Sequence, residues 1–372
     1  SGALPLNYGH HQGRATYRIR LRPVKRLCVF SPLSRIQTRG CIGVGGGIVF
    51  RRLGVFCLSA NGLAGRIGIS LLLCLAVSLG QALEPEPVMV FPPEINLQAK
   101  GRQQVVVRHG LANGLTADLT REAVYASSDP AVAVVEQGVV RAQGEGLAKL
   151  RVEAAGQVVN MDVFVGAKPG NHRLRSFTGD VLPVLGRAGC AGGSCHAKPK
   201  GQNGFSLSVF SFDPAADFRE VVKDERGRRV FPAFPAESLL LKKPTLAVEY
   251  EGGRRLEVGS PFYQIIHDWI SQGMPYRLPG EPALEGISVF PGEQRYAKSA
   301  EQQLVVTARF DDASTQDVTH LADFSSSDKE IAGVDHDGLV RVGTLSGEGV
   351  VVVRYMGEVA QARITVPTDR RF

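Results

Sequence analysis

The feature that most constrains this chain is an internal repeat, because two segments about two hundred residues apart share the same residue types in the same order. The first segment covers residues 88–166 and the second covers residues 286–367. The matched pairs are Phe91-Pro92 with Phe290-Pro291, Gln103-Gln104 with Gln302-Gln303, Asp118-Leu119-Thr120 with Asp317-Val318-Thr319, Ser127-Ser128-Asp129 with Ser326-Ser327-Asp328, and Gly138-Val139-Val140-Arg141 with Gly338-Leu339-Val340-Arg341. We therefore expect both segments to adopt the same fold.

Short runs of β-branched and other apolar residues recur within each segment. In the first segment they cover residues 105–107, 132–135, 147–152 and 158–165, and Gly, Asn and Asp separate them. Such runs, partly alternating with polar residues, are typical of half-buried β-strands. Six or seven strands in about 75 to 80 residues are enough to close two sheets over one core. We therefore predict a mainly β protein with one Ig-like β-sandwich in each segment.

The order of the matched motifs is itself informative. An early strand ends in an Asp-x-Thr turn, then Ser-Ser-Asp follows, and then a Gly-x-Val strand. This order resembles the bacterial group 2 Ig-like family, BIG2, over residues 88–166 and 286–367. Neither segment has the Cys, Trp, Cys trio of antibody domains. The resemblance implies a spacer or adhesive role at a cell surface, with a surface glycan or protein as partner and no catalytic residue.

The region before the first segment has the pattern of an export signal. Arg66 precedes an apolar run at residues 67–79, and Gly80, Gln81 and Ala82 follow it. This is typical of a secretory signal peptide, here residues 67–82 with cleavage after Ala82, and the run is short for a membrane span. An uncleaved anchor is the alternative. We predict a periplasmic or cell-surface protein that meets the membrane only during export, and a disordered or over-extended N-terminus at residues 1–66.

The charges of the chain are distributed unevenly. The formal net charge is +7, but the excess of Lys and Arg lies before residue 66, and from Glu84 onward they are interleaved with Asp and Glu. Interleaved charges are typical of solvated domain surfaces, whereas nucleic-acid-binding domains carry a basic patch. The charge pattern therefore argues against a nucleic-acid partner.

Residues 172–280 interrupt the repeat and have a different character. Ser260 and Pro261 are suited to begin a helix that Gly273 ends, so a helix is predicted at residues 261–272. One apolar stripe of this helix contains Phe262, Ile265, Ile266, Trp269 and Ile270. His267 is expected on the opposite, solvated face, with Tyr263 and Ser271.

The same region contains the last two cysteines of the chain, Cys190 and Cys195, and His196 follows directly. Covalent haem c needs two thiols and an adjacent histidine as iron ligand, so this Cys-x4-Cys-His sequence predicts one covalent haem c. The usual spacing is two residues rather than four. Two alternatives stay open, namely a Cys190–Cys195 disulfide, which an oxidising compartment favours, and a zinc or other metal site.

A second resemblance covers the whole of residues 172–280. The residues that carry it are Gly189-Cys190, Cys195-His196, Asn203-Gly204-Phe205, Phe212-Asp213-Pro214, Gly227-Arg228-Arg229, Glu237-Ser238-Leu239-Leu240-Leu241-Lys242, Gly252-Gly253 and Trp269-Ile270. They resemble the cytochrome-c-like region of planctomycete surface proteins, where it lies between group 2 Ig-like domains. The resemblance implies a small mixed or α-helical domain in which Cys190 and Cys195 attach haem and His196 is the proximal ligand. In that family a histidine precedes the Gly-Gly pair, whereas this chain has Tyr250 there, so Tyr250 or Met274 is the candidate distal ligand.

No common hydrolase motif supports an enzymatic role. The sequence contains no G-x-S-x-G, Walker or H-E-x-x-H motif. We predict a protein without enzymatic activity that carries one haem c between two Ig-like domains and passes or senses electrons through a redox partner. The alternative is a structural or adhesive surface protein without haem, in which the two cysteines form a disulfide.

Overall fold

A computed structural model describes residues 87–111, 114–166 and 174–368. The predicted signal peptide at residues 67–82 and the N-terminal segment at residues 1–66 lie outside these residues. Three parts are distinguished below, namely the first sandwich (residues 88–165), the middle module (residues 174–280) and the second sandwich (residues 284–366).

The first sandwich consists of ten short strands in three sheets. They are β1 (Val88–Phe91), β2 (Ile95–Leu97), β3 (Arg102–Gln104), β4 (Val106–Gly110), β5 (Thr116–Asp118), β6 (Val124–Ser127), β7 (Ala133–Glu136), β8 (Val139–Ala142), β9 (Gly146–Ala154) and β10 (Gln157–Val165). The sheets have the orders β1-β4-β5, β2-β10-β9-β6 and β3-β8-β7. β2 runs parallel to β10, and the other pairs are antiparallel.

The β9–β10 hairpin illustrates why these residues form strands. Along β9, Ala148, Leu150 and Val152 are buried and alternate with exposed residues, as the period of a half-buried strand requires. Ala155 and Gly156 join the two strands with φ of +47° and +72°. Positive φ at both central residues is the geometry of the tight hairpin turn that matches strand twist.

The middle module contains four short helices joined by turns. They are α1 (Leu182–Arg187), α2 (Pro214–Val222), α3 (Leu239–Lys242) and α4 (Pro261–Ser271). A π-helical turn, Phe177–Val181, leads into α1, and 3-10 turns lie at Val209–Ser211, Asp224–Gly227 and Pro235–Glu237. Within the described residues, no helix is long and apolar enough to cross a membrane.

Helix α4 lies in the centre of the middle module. It begins after Ser260, whose side chain accepts a hydrogen bond from Tyr263 N, and it ends at Ser271 rather than Gln272. Ile266, Trp269 and Ile270 are fully buried, as predicted. Tyr263 is also buried, which corrects the expectation that it faces solvent, because the module packs around more than one side of this helix.

The second sandwich repeats the first strand for strand. Its strands are β11 (Leu284–Phe290), β12 (Glu293–Arg295), β13 (Glu301–Gln303), β14 (Val305–Phe310), β15 (Thr315–Asp317), β16 (Asp323–Ser326), β17 (Ala332–Val334), β18 (Leu339–Val342), β19 (Gly347–Tyr355) and β20 (Glu358–Val366), with a 3-10 turn at Thr319–Leu321. The sheet orders β11-β14-β15, β12-β20-β19-β16 and β13-β18-β17 are those of the first sandwich. The prediction of a mainly β protein with repeated Ig-like sheets is confirmed.

Each part has a separate hydrophobic core. Val105, Val107, Leu150 and Val163 are among the buried residues of the first sandwich, and the equivalent region of the second sandwich is centred on Tyr296. The core of the middle module surrounds Phe177, Leu241 and Trp269. A part with its own core has the means to be stable as a unit.

The two sandwiches contact each other through reciprocal hydrogen bonds. Gln104 N donates to Asp317 Oδ2 at 2.5 Å, and the equivalent Gln303 N donates to Asp118 Oδ2 at 2.5 Å. Each aspartate belongs to the Asp-x-Thr turn of its segment, and each glutamine belongs to the matched Gln-Gln pair. Because these two bonds are equivalent in the repeat, they relate the two sandwiches as an approximately isologous pair within one chain.

A stacked aromatic pair marks the pseudo-twofold axis. Phe91 and Phe290, which are equivalent in the repeat, stack with ring centroids 4.0 Å apart and planes 16° apart. Both precede a proline in a cis peptide bond. The Arg108 guanidinium lies over the Phe290 ring, 5.3 Å from its centroid. Equivalent residues related by a twofold axis contact each other only where both lie next to that axis. The stacked pair therefore marks the position of the pseudo-twofold axis.

The middle module docks on the second sandwich. Gly357 N in the β19–β20 turn donates to Phe210 O at 2.8 Å, and the Arg354 guanidinium lies over the Phe210 ring at 4.6 Å. Arg187 at the end of α1 donates through Nε to His320 O at 3.0 Å. Gly357 has a φ of +84°, and a Cβ at this position would lie 3.2 Å from Phe212 Cα. Glycine therefore allows the β19–β20 turn to approach the backbone of the middle module closely.

Candidate functional site

The Cys-x4-Cys-His segment forms a compact loop directly after α1. Cys190 N donates to Leu185 O at 2.9 Å, and His196 N donates back to Cys190 O at 3.1 Å. Gly189 has a φ of +76°, which lets the chain leave the helix in a left-handed conformation. The loop thus closes on itself and holds the histidine backbone against the first cysteine, despite the four-residue spacing.

Both ring nitrogens of His196 have partners, which defines its tautomer. Nδ1 donates to Phe205 O at 3.1 Å, and the imidazole packs on the Phe205 ring with centroids 4.4 Å apart. Nε2, which then carries the lone pair, is 3.3 Å from Tyr250 Oη and accepts its hydrogen bond. Burial lowers the pKa of His196, as do nearby Lys243, Arg229 and Lys198, against the raising effect of the Phe205 carbonyl. The imidazole is therefore neutral at pH 7.

Tyr250 connects the histidine with the second cysteine. Its Oη lies 3.2 Å from Cys195 Sγ, so Cys195, Tyr250 and His196 form a continuous hydrogen-bonded chain. Gly252 makes this placement possible, since a Cβ there would lie 2.4 Å from the Tyr250 ring. Burial raises the pKa of Tyr250, and its hydrogen bond to Cys195 raises it further. The phenol thus stays protonated and donates to the imidazole.

The two cysteines are not bonded to each other in the structure, and both are free thiols. Cys195 is buried, whereas Cys190 is partly exposed. Burial, followed by the nearby Cys195, raises the pKa of Cys190 to about 12, so the Cys190 thiol is un-ionised at neutral pH. The disulfide alternative stays a prediction.

Cys190, His196 and Tyr250 line one cleft of the middle module. The cleft has a cavity volume of about 60 Å³. Its walls are mostly apolar, and the polar lining residues include Arg228, Arg229 and Lys243. Ligand pockets typically have volumes of about 300 to 1,000 Å³, so the cleft must open further to admit a porphyrin.

Arg229 positions the aromatic wall behind His196. Its guanidinium donates to Glu220 O at 2.6 Å and Gly204 O at 2.5 Å, and lies over the Phe205 ring at 4.7 Å. Arg229 therefore holds Phe205, which in turn holds His196. Sequence reasoning did not assign these roles, although Asn203-Gly204-Phe205 and Gly227-Arg228-Arg229 both stand out as motifs.

Met274 lies elsewhere in the module. Its backbone N–H donates to Trp269 O at 3.0 Å, and its side chain packs against the module core. It is not among the residues that line the cleft with His196. The structure thus brings Tyr250, but not Met274, to the predicted ligand.

The donor chemistry of the cleft fits a haem c only in part, since Cys190 and His196 line the cleft and Cys195 does not. A ligating histidine usually donates its other ring N–H to a carbonyl or carboxylate, and His196 Nδ1 donates to Phe205 O. Cys190 lies beside it in an apolar cleft with basic residues that suit carboxylate groups. However, Tyr250 Oη contacts Nε2, the nitrogen that would bind iron. Haem binding therefore requires the Tyr250 side chain to leave this position.

The described residues do not supply enough ligands for a metal ion without a porphyrin. Across residues 87–111, 114–166 and 174–368, no group of three or more His, Cys, Asp or Glu side chains is arranged to hold a metal ion. Structural zinc requires four ligands, and catalytic zinc three. The zinc alternative considered from the sequence therefore has no support in the described part of the chain.

Comparison with solved structures finds remote likenesses. Domains 5 and 6 of the S-layer protein SbsC share 10% identity, with 77% of this chain and 99% of that chain covered and a TM-score of 0.30. A longer SbsC fragment shares 12% identity, covering 78% of this chain but only 29% of its own length, with a TM-score of 0.21. InvD of Yersinia pseudotuberculosis shares 10% identity over 77% of this chain and 60% of that chain, with a TM-score of 0.15. Likenesses at these TM-scores carry no argument about function.

No curated protein sequence matches the chain. The family comparison does find a match in the second sandwich, where the strand order is already established. The resemblance of the first segment, residues 88–166, to the same family stays a prediction, and so does the cytochrome-c-like character of the middle module. Residues 283–353 match the family of the bacterial Ig-like domain (group 2).

Proposed function

We propose that this chain is a structural or adhesive protein of the bacterial cell surface, without enzymatic activity, in which two paired Ig-like sandwiches present the middle module. The observation that carries the proposal is the reciprocal pairing of Gln104 with Asp317 and of Gln303 with Asp118. These bonds join sandwiches that are separated by the whole middle module in sequence. Rigid arrays of Ig-like domains suit spacing and adhesion, and the family match in the second sandwich supports this assignment.

Protease treatment of intact cells that produce the chain tests the surface assignment. Phe231 and Phe234 are exposed in a turn-rich loop, so this loop should be cut first while the sandwiches resist. Release of middle-module fragments from intact cells is the expected result. A chain that is cut only after cell lysis would contradict a surface location, and an alkaline phosphatase fusion after residue 90 would show independently whether export occurs.

A second candidate function is the covalent binding of one haem c, with a role in electron transfer or redox sensing. A specific observation favours it: Cys190 and His196 line the same apolar cleft, and Phe205 O holds His196 Nδ1 so that Nε2 becomes the ligand once Tyr250 leaves it. When bound, the haem would supply a one-electron redox centre. His196 would bind the iron, Cys190 and Cys195 would hold the porphyrin, and Arg228 and Lys243 would neutralise its carboxylates.

Expression together with the cytochrome c maturation machinery separates the two candidates. A haem-stained band after denaturing electrophoresis, lost in Cys195→Ser and in Cys190→Ser, supports haem attachment. A colourless band with intact mass and free thiols supports the non-haem scaffold. Near-unchanged thermal unfolding of the two serine variants would show that the result reflects attachment and not misfolding.

A further inference from the structure

Three arginines converge where the two sandwiches and the middle module meet. Arg102 lies on β3 and Arg141 on β8 of the first sandwich, and Arg187 lies at the end of α1. His320, in the 3-10 turn of the second sandwich, accepts a hydrogen bond on its carbonyl from Arg187 Nε at 3.0 Å, and the bond from Gln104 N to Asp317 places β3 beside the same turn. The charges of all three arginines act on His320. The cluster therefore includes residues from every part of the described chain.

The two arginines of the first sandwich lie directly opposite each other. Arg102 and Arg141 are cross-strand partners in the β3–β8 ladder. The equivalent partners in the second sandwich are Glu301 and Arg341, which form an ion pair with Arg341 Nε 3.4 Å from Glu301 Oε1. Like charges directly opposite each other on strands are destabilising. One repeat thus has an ion pair where the other, at the junction of the three parts, has two cations directly opposite each other, with Asp317 and Asp337 acting on Arg102.

Arg187 adds a third guanidinium, and its own partners neutralise it only weakly. Its side chain is 18% exposed, and Nη2 lies 3.5 Å from Asp337 Oδ1, whose side chain is 82% exposed. Exposed ion pairs of this kind contribute little, typically about 0 to 1 kcal/mol. Asp317 also acts on Arg102, but its carboxylate already accepts hydrogen bonds from Gln104 N and from Thr319.

Buried polar atoms in this cluster have no partner. Arg102 Nε and His320 Nδ1 are both buried without a hydrogen bond among the described residues. Burial, with contributions from the three arginines, lowers the pKa of His320 to about 3, and burial followed by Arg141 lowers the pKa of Arg102. Three guanidinium groups thus meet two carboxylates, Asp317 and Asp337, which leaves one positive charge in excess beside buried polar atoms without a partner.

We propose that Arg102, Arg141 and Arg187, grouped around His320, form a binding site for a tetrahedral oxyanion, a phosphate or sulfate group. Guanidinium groups bind such anions through paired N–H donors in fixed geometry. Arg141 is exposed, so an anion can reach the cluster from solvent. Bound there, it offsets the repulsion between the cross-strand arginines and links all three parts, so the anion stabilises the assembled chain.

Thermal unfolding of the protein in inorganic phosphate, in sulfate, and in chloride of equal ionic strength at pH 7 tests the proposal. For a dissociation constant of about 1 mM, 10 mM phosphate should raise Tm by about 3 °C over chloride. Arg102→Glu supplies the acid that the second sandwich has at this position, so it should form an ion pair with Arg141. The variant should fold, and it should lose the response to phosphate and sulfate.

Two further variants keep the result interpretable. Arg141→Gln removes an exposed guanidinium of the cluster and should reduce the anion response even if Arg102→Glu does not fold. Arg121→Ala, at the position of the first sandwich equivalent to His320 and away from the cluster, should respond to phosphate as the unaltered protein does. An equal Tm in phosphate, sulfate and chloride for the unaltered protein would overturn the proposal, and so would a full phosphate response in both cluster variants.

Discussion

Replacing Asp118 with asparagine tests whether the paired aspartates hold the two sandwiches together. Asp118 Oδ1 accepts from Thr120 N at 2.7 Å, and Oδ2 accepts from Gln303 N at 2.5 Å and from Gln302 Nε2 at 3.0 Å. Asparagine has one acceptor oxygen, so Asp118→Asn leaves at least one buried backbone N–H without an acceptor. Such an orphan costs about 1 to 3 kcal/mol.

The buried charge of Asp118 limits the expected loss. Burial raises the pKa of Asp118 against the lowering effect of its hydrogen bonds, so removing the charge returns part of the desolvation cost. We therefore expect Asp118→Asn to lower the free energy of unfolding by about 2 kcal/mol. The reciprocal variant Asp317→Asn should cost about the same, because its carboxylate accepts from Gln104 N and Thr319 N in the same way.

Urea-induced unfolding at pH 7 measures both variants and their combination. Asp162→Asn is the matched control, since this aspartate on β10 forms an exposed pair with Lys149 and should change stability by less than about 0.5 kcal/mol. Native-state hydrogen exchange adds a local readout, because the Gln104 and Gln303 amides should lose protection. Values for Asp118→Asn within about 0.5 kcal/mol of the unaltered protein, with unchanged exchange at Gln303, would refute the assignment of these bonds as the link.

Three shorter predictions concern pH and the cleft. His320 has a folded pKa of about 3 and an unfolded value of about 6.5, so its contribution to stability is complete above pH 6.5 and declines as the pH falls towards 3. His320→Gln should therefore flatten the loss of stability between pH 7 and 5, by at most about 2 kcal/mol, and an unchanged pH profile would contradict this. Tyr250→Ala should strengthen the binding of added hemin, seen as a sharper Soret band, because it exposes Nε2 of His196. Adding His196→Gln to this variant should abolish the gain. Equal spectra for the unaltered protein, the single variant and the double variant would exclude ligation by His196. Cys190, with a pKa of about 12, is ionised in about one molecule in ten thousand at pH 8, so iodoacetamide should label it in the folded protein far more slowly than in urea, as peptide mass mapping can measure.

Patterns within short stretches of sequence predicted the local structure well. The alternation in β9 and β10, the Ser260-Pro261 start of α4 and the apolar stripe around Trp269 all appear as expected, because each depends on contacts within one element or on simple burial of one face. The repeat predicted two sandwiches for the same reason, since equal patterns bury equal faces. Tyr263 is the exception, because its burial depends on neighbours that the helix pattern does not contain.

The candidate site was only partly predictable. Cys190, Cys195 and His196 are adjacent in sequence, so their grouping required no long-range information. The position of Tyr250 on His196 Nε2 depends on a chain reversal more than fifty residues away and on the absence of a side chain at Gly252. Phe205 holds His196 through a backbone carbonyl, and Arg229 donates to the backbone carbonyls of Glu220 and Gly204. Every residue type has a backbone carbonyl, so the sequence does not show which carbonyls make these contacts.

By itself, the sequence determined the β-sandwich pattern of the two repeats and the helix at Pro261–Ser271, since hydrophobic periodicity, turn residues and helix caps act over distances shorter than one element. Only the tertiary structure decided what the matched motifs do. It pairs the Asp-x-Thr turn of one segment with the Gln-Gln pair of the other, and it brings Arg102, Arg187 and His320 from three parts of the chain together. The physical reason is that hydrogen bonds and charge interactions between parts depend on how whole surfaces meet, and surface shape is a property of the folded chain rather than of any local pattern.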